Sequence, residues 1–430
     1  MKKISLNEKK HGPNTRYGAI NRALFTGNRA RLESHLPAGW LVVVQSNDLL
    51  PTNGDGTMPF HQNSDFFYLT GIDQEETVLL LYYEGGSYHP ILFITETTPK
   101  KAVWEGPKYT YDEAREASGI DEVRPLSDFQ ALFGELMEGA KGVYVNTNEY
   151  PQAQAEVIGR GSRFMAWCRT HYPKKPSRSL KEAMTSLRMI KSPLEIDLIR
   201  RACQITAHAF KEVAPQVRPN MYEYEIEALF SASILRQGSD GFAYAPIIAS
   251  GKNSCTLHYT ANNQIGKQGD VLLLDVGARY SRYASDVTRV LPIGGAFTER
   301  QKDVYQAVHR IMEEAKKCLV IGRTLRAYHR EVGQIIQEEL LKLGVLTQAM
   351  IEKQDPQRPA YQKYCMHGIS HHLGLDTHDL ADPKAPLAPG MVLTVEPGIY
   401  LPEEGFGIRL EDDILLREEG LEVLTEEIAL

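Results

Sequence analysis

Four acidic residues sit in segments that otherwise read as buried strand, and few folds tolerate that. Asp275 ends the run Val271-Leu272-Leu273-Leu274, and Asp286 stands in Ala284-Ser285-Asp286-Val287-Thr288. Glu396 follows Val392-Leu393-Thr394-Val395 and precedes Pro397-Gly398. Glu411 follows Ile408-Arg409-Leu410 and precedes Asp412-Asp413-Ile414. An ionised carboxylate buried without a partner is strongly destabilising unless its pKa shifts and it becomes neutral. A bound cation removes the conflict, and two divalent cations would balance the four charges. Each residue alone has an ordinary reading, as a strand-end cap or a solvated strand position. The set as a whole is the informative feature.

Residues 366–379, Met-His-Gly-Ile-Ser-His-His-Leu-Gly-Leu-Asp-Thr-His-Asp, hold four of the thirteen histidines: His367, His371, His372 and His378. Histidine is a common metal ligand and the usual acid or base near neutral pH. Gly368 and Gly374 let the backbone come close to a neighbour. Alone, the cluster is also compatible with core histidines satisfied by hydrogen bonds. Beside the carboxylates, His371 completes a set of two Asp, one His and two Glu. Mostly oxygen ligands with one imidazole suit Mn²⁺, Co²⁺, Fe²⁺ or Zn²⁺ better than a cysteine-type zinc site. Two metals can clamp a water and lower its pKa, which points to hydrolysis.

A chain of 430 residues exceeds one domain at ~150 residues each. The first part reads as α/β, with strands over Leu41–Val44, Phe66–Leu69, Thr77–Tyr83, Ile91–Ile94 and Gly142–Val145. Helices are expected over 17–36, 111–118 and 126–138. It carries no G-x-G-x-x-G and no Walker lysine loop. Residues 171–178 are basic, hold two prolines and suit a link, which divides the chain into 1–175 and 176–430. Beyond it a helix is expected over 179–190. Ser192-Pro193-Leu194-Glu195 then carries the signature of a helix start. A second helix runs over 220–237, with Gly238 at its C′ position. Strands are expected over 247–249 and 256–259, with a hairpin of 271–276 and 283–291. Thr298 and Gln301 open a helix to about 319, another covers 325–343, and strands follow over 391–400 and 407–416. Helix–helix–strands thus occurs twice, a hint of internal duplication.

The net charge of −7 argues against nucleic acid or an anionic membrane as partner. Five cysteines, an odd number with no C-x-x-C spacing, imply free thiols in a reducing compartment. No apolar run approaches the ~20 residues that span a bilayer, and Met1–Glu8 is followed by no apolar core of a signal peptide. A cytoplasmic protein is expected.

From residue 176 onward the chain resembles the pita-bread metallopeptidases, whose ligand order is Asp, Asp, His, Glu, Glu. His367–Asp379, Thr394–Tyr400 (TVEPGIY) and Gly407–Asp413 (GIRLEDD) are similar to the aminopeptidase P branch in particular. Ser370 fits that branch, since prolidases often have glycine there. His61–Gly71 (HQNSDFFYLTG) resembles the branch's first domain, although relatives often have arginine in place of His61. The resemblance implies an α/β (α+β) protein: an N-terminal α/β domain of the aminopeptidase P type, then a pita-bread catalytic domain. It implies a metal-dependent aminopeptidase that releases the first residue from peptides with proline second. The alternative is a prolidase restricted to Xaa-Pro dipeptides.

Carried over by residue, the resemblance implies that Asp275 binds one metal bidentately. Asp286 and Glu411 would bridge two divalent ions, Mn²⁺ first, with Co²⁺, Zn²⁺ or Fe²⁺ also suited. His371 and Glu396 would hold the second ion, and Glu396 would also move the proton of the bridging water. His367 would donate to the scissile carbonyl or the oxyanion, while His258 and His378 line the pocket. Arg409 would pair with Asp275 and with Tyr400. His372 would face away, and Asp413, on the strand face of Glu411 by period-two alternation, would support the site. Asp55 would reach the substrate N-terminus from a neighbouring subunit of a homodimer or homotetramer. All five ligand positions are kept, which disfavours the metal-free relatives, of histone-chaperone or creatinase type. The long first domain disfavours a methionine aminopeptidase.

Overall fold

The computed structural model describes residues 15–52, 56–96, 98, 102–103, 106–147 and 158–428. The chain forms two compact units, one up to Leu187 and one from Arg188.

The first unit is built on one six-stranded sheet. Its strands are β1 (Leu41–Gln45), β2 (Val78–Glu84), β3 (Ser87–Ile94), β4 (Glu122–Pro125), β5 (Val143–Val145) and β6 (Ser177–Ser179), in the order β4-β3-β2-β1-β5-β6. The β1–β2 and β2–β3 pairs are antiparallel and the three outer pairs parallel. The helices are α1 (Ala23–Glu33), α2 (Ser64–Thr70), α3 (Tyr111–Ser118), α4 (Phe129–Gly139) and α5 (Arg160–His171). Alternate strand residues Leu41, Val43, Val78, Leu80, Ile91, Phe93, Val143 and Val145 pack on Phe133, Met137, Met165 and Cys168 of α4 and α5. All five residues of β1 are buried, as expected of a central strand covered on both faces. Ser177–Ser179, part of the stretch read as a link, is the edge strand of this sheet.

Phe66–Leu69 is not a strand but the body of α2. The Asn63 side chain caps it by accepting from the Phe66 N–H at 3.1 Å. Gly71 closes it at φ +68°, where a Cβ would meet the Phe25 ring at 2.2 Å. An apolar run of four residues fits either element, and here the flanking caps settle it.

α6 (Lys181–Met189) runs across the boundary. The second unit then has two helix pairs. α7 (Pro193–Val213) starts with a full capping box between Ser192 and Glu195, and α8 (Glu223–Arg236) is followed by Gly238 at φ +76°. α9 (Glu299–Cys318) opens on a Thr298–Gln301 box, and α10 (Leu325–Lys342) follows it. The remaining helix is the short α11 (Gln348–Glu352). The strands are β7 (Gly241–Phe242), β8 (Ile247–Ser250), β9 (Val271–Asp275), β10 (Ala278–Tyr280), β11 (Tyr283–Ala284) and β12 (Thr288–Pro292), then β13 (Val392–Val395), β14 (Gly398–Leu401), β15 (Phe406–Arg409), β16 (Asp412–Arg417) and β17 (Gly420–Val423). They form the small sheets β12-β9-β8, β11-β10-β7, β13-β16-β17 and β14-β15.

The helix pairs cover opposite faces of β9. Leu272 and Leu274 pack with α7 and α8, and Val271 and Leu273 with α9 and α10. The mixed helix-and-sheet class expected from the sequence is what the chain adopts. Residues 256–259, expected as strand, follow a 3-10 turn at Gly251–Cys255 and lie outside any strand.

Candidate metal centre

The four acidic residues stand where strands stop. Asp275 is the last residue of β9, and Asp286 lies between β11 and β12. Glu396 interrupts what reads in sequence as one strand and separates β13 from β14. Glu411 likewise separates β15 from β16. Each break takes its backbone out of the ladder, yet each N–H finds a partner. Asp286 N–H donates to Asp413 Oδ2 at 3.0 Å, Glu396 N–H to the Ile369 carbonyl at 3.0 Å, and Glu411 N–H to the Thr288 carbonyl at 3.1 Å. Gly277 permits the closest approach, since a Cβ there would sit 1.8 Å from the Ser285 carbonyl.

His371 enters from a loop that pairs with β13. Its N–H donates to Thr394 Oγ1 at 3.2 Å, and its carbonyl accepts from Thr394 N–H at 3.0 Å. His372 bridges Leu393, so it turns to the opposite face, where its buried ring is pushed down to about 3 by burial and then by Lys191. His371 Nδ1 lies 3.0 Å from the His372 carbonyl, which can only accept. Nδ1 therefore carries a proton, and Nε2 faces the carboxylates, 3.4 Å from Asp286 Oδ2 and 3.5 Å from Glu396 Oε1; loss of the Nε2 proton leaves a lone pair aimed at the same space. This is the tautomer a metal ligand needs. Asp286, His371 and Glu411 each offer a donor atom, all within 4.8 Å of one another.

Arg409 ties the set together from behind. It donates to Asp275 Oδ2 at 2.5 Å, Tyr400 OH at 2.9 Å and Thr288 Oγ1 at 3.0 Å. The Thr288 hydroxyl donates to Glu411 Oε2 at 2.7 Å, and Tyr244 OH donates to Asp275 Oδ1 at 2.6 Å. Tyr400 accepts from Arg409, so its own proton faces His367 Nε2 at 2.8 Å. The other nitrogen, Nδ1, donates to the Gly368 carbonyl at 2.7 Å. Both nitrogens of His367 thus have partners, and its Nδ1 is 3.6 Å from Glu396 Oε2.

His258 is exposed on the loop after the 3-10 turn. It lies close enough for its charge to oppose protonation of His367 and His378. The His378 ring is 4.3 Å from that of His371, centroid to centroid. Asp55 lies outside the described residues. Three contributors carry no local sequence signal: Tyr244, Glu223 and His329, whose Nδ1 accepts the Ile369 N–H at 3.2 Å. Thr288 could have been found, because it shares a strand face with Asp286.

Burial pushes the Glu411 carboxyl well above the usual range, with repulsion from Asp286 and Glu396 adding to it. Burial also raises Glu396 to about 7; His371 pulls it down, but Asp286 pushes further up. Asp275 is raised by burial despite Arg409. His371 is the counterpart. Burial alone would lower it, but its hydrogen bond to Asp286 and the charge of Glu396 raise it to about 9. His367 is driven down to about 4 by burial and then by Arg409. A carboxylate cluster that holds protons this firmly is short of positive charge. Four carboxylates with one correctly oriented imidazole fit two divalent cations by donor chemistry.

Residues 197–418 match metallopeptidase family M24, and residues 25–144 match the aminopeptidase P N-terminal domain. The Xaa-Pro aminopeptidase of Escherichia coli (strain K12) is 34% identical over 425 residues, covering 95% of this chain and 96% of that protein. Xaa-Pro aminopeptidase 3 of Homo sapiens is 33% identical over 399 residues, covering 89% and 78%. Among solved structures, E. coli aminopeptidase P with the inhibitor Pro-Leu superposes with a TM-score of 0.85 at 32% identity, covering 96% of each chain. Proline aminopeptidase P II from Yersinia pestis gives 0.85 at 30%, covering 95% and 97%. The chain belongs to metallopeptidase family M24, and is therefore a metal-dependent hydrolase. Its first unit carries the aminopeptidase P N-terminal domain, which marks its branch within that family.

Proposed function

We propose that this site removes the first residue from peptides whose second residue is proline. It does so with two divalent cations, Mn²⁺ ahead of Co²⁺, Zn²⁺ or Fe²⁺. The observation that carries the reading is the convergence of Asp286, His371 and Glu411 within 4.8 Å, with Glu396 beside His371. The relatives named as Xaa-Pro aminopeptidases support the substrate class over a dipeptide-only prolidase. A bond before proline is a tertiary amide with no N–H, so strand-type substrate binding loses a hydrogen bond there. A metal-based hydrolase does not depend on that bond.

Asp275, Asp286, His371, Glu396 and Glu411 would together hold the two ions. Bound metals supply Lewis acidity and a water of lowered pKa. Glu396, beside His371 at the site, would take that water's proton and pass it to the departing proline nitrogen. His367 faces the same space. Its Nε2 accepts from the Tyr400 hydroxyl, which accepts from Arg409, so the hydrogen bond to the oxyanion would come from the Nδ1–H, which at rest donates to the Gly368 carbonyl. His258 and His378 line the approach. The reading includes a cytoplasmic homodimer or homotetramer in which Asp55 serves a neighbouring site. Light scattering of an active sample tests the assembly, and a fully active monomer would remove it. Among the described residues no helix is long and apolar enough to cross a membrane.

The test is release of the first residue from Xaa-Pro-Yaa and from Xaa-Pro by chelator-stripped protein, with and without Mn²⁺. Metal-restored cleavage of the tripeptide is expected. Cleavage of the dipeptide alone would shift the assignment to a prolidase, and cleavage of neither would end the proteolytic reading.

A further inference from the structure

We propose that Glu223 is a positioning residue for this active site: its buried carboxylate sets the Ser250–Gln264 loop and, through it, the placement of His258. Glu223 is the first residue of α8 and is fully buried. Five neutral donors converge on it. Oε1 accepts from Ser250 N–H at 2.8 Å, Ser250 Oγ at 2.7 Å and Asn253 Nδ2 at 3.2 Å. Oε2 accepts from Tyr259 OH at 2.7 Å and Gln264 N–H at 2.9 Å. A carboxylate is the one side chain that offers only acceptors on both atoms. Each oxygen here takes a backbone N–H that cannot reverse. A glutamine would therefore turn its NH₂ toward one of them.

The donors span the loop from its first residue to its last, and Tyr259 is the neighbour of His258. A second carboxylate one turn along α8 assists. Glu227 Oε2 accepts from Asn262 Nδ2 at 2.8 Å, and Asn262 Oδ1 accepts from Ile248 N–H at 3.0 Å. On its other side the loop is tied to the strand that carries Arg409, where Gly407 N–H donates to Ser254 Oγ at 2.7 Å. His258 is thus an exposed side chain on a backbone fixed from two sides. A merely solvated loop would not gather five donors on one buried charge.

The inference rests on His258 lining the substrate site, and a double-mutant cycle separates the two claims. Glu223→Gln is expected to lower kcat/KM on Xaa-Pro-Yaa about tenfold, the scale of one lost charge-assisted hydrogen bond, with bound metal unchanged. Glu223→Asp should fall between it and the wild type. The double variant with His258→Ala should be within about twofold of His258→Ala alone. Losses that multiply would overturn the positioning role alone. A wild-type rate for His258→Ala would overturn the reading of His258 and this inference with it. If Glu223→Gln fails to fold, Tyr259→Phe removes one donor and should show the same non-additivity, on a smaller scale.

Discussion

Glu411 and Asp412 are neighbours in the chain, both buried, and their carboxyls are driven in opposite directions. Asp412 meets Arg289 Nη2 at 2.7 Å, Lys316 Nζ at 3.0 Å and Thr425 Oγ1 at 2.8 Å. Burial would raise it, but Arg289 and then Lys316 hold it below the usual carboxylate range. Asp379, which anchors the histidine-rich loop, is treated alike by Arg188 and Lys191. Glu411, one residue away from Asp412, shares Arg409 with Asp275 and faces Asp286 and Glu396, so it is raised. Burial is common to both sets. What separates them is whether the fold supplies the cation. Around Asp379 and Asp412 it does, and around the strand-break carboxylates Arg409 faces several acids at once, which is the ground for the metal ions proposed there.

The contrast is sharpest under substitution. Glu411→Gln should abolish peptide hydrolysis to about a thousandth or less, since metal-centred stabilisation is worth several kcal/mol. The chelated protein should unfold at an equal or higher temperature than its parent, because a glutamine there is neutral without having to bind a proton on folding. Calorimetry checks the second half, and a lowered Tm would break the comparison. Asp412→Asn should do the reverse. It removes the carboxylate that meets the buried Arg289 and leaves Lys316 with Glu313, so denaturant titration should show a loss of about 3–5 kcal/mol, while the folded fraction still binds metal.

Arg409→Gln removes the guanidinium that pairs with Asp275. Loss of its bonds to Asp275 and Tyr400 should weaken metal affinity and kcat/KM by about 10–100-fold, measured by metal titration and tripeptide turnover. The smallest effect is a pH trend. The folded Glu396 carboxyl, raised to about 7, keeps a proton that the unfolded chain has already released. Chelated protein should therefore lose stability as pH rises from the ordinary carboxylate range through about 7. His371 runs the same way. Its contribution is present below the ordinary histidine value and lost as pH rises through about 9. Asp379 and Asp412, held low, lose theirs only as pH falls through their lowered values. Metal-loaded protein should not show the alkaline decline, since its ligands are held deprotonated. Thermal melts across this range, with and without chelator, would show whether the two slopes differ.

Much of this was legible because carboxylates inside apolar runs are improbable without a purpose. Asp275 after Val271–Leu274 and Glu396 after Val392–Val395 announced themselves from their immediate neighbours. So did the helix starts at Ser192 and Thr298, where a local capping box dictates the outcome. The strand breaks were not legible. Residues 391–400 and 407–416 each read as one strand, because the apolar pattern continues across Glu396 and Glu411. Only the partners of the freed N–H groups, Ile369 and Thr288, explain the interruption. Phe66–Leu69 failed for want of length, and 256–259 because its conformation is imposed from outside, by Glu223, which holds the Tyr259 hydroxyl. Tyr244 and His329 were invisible for the same reason. Their roles exist only through contacts distant in sequence.

The central claim is that the strand-break carboxylates and His371 form a two-metal centre. The most direct test is to strip the protein with chelator, add Mn²⁺ in measured equivalents, and follow bound metal and Xaa-Pro-Yaa cleavage together. The account predicts that binding saturates at two ions per chain and that activity rises with it. Full cleavage by the stripped protein, or no ion retained at any ratio of Mn²⁺ to protein, would contradict it.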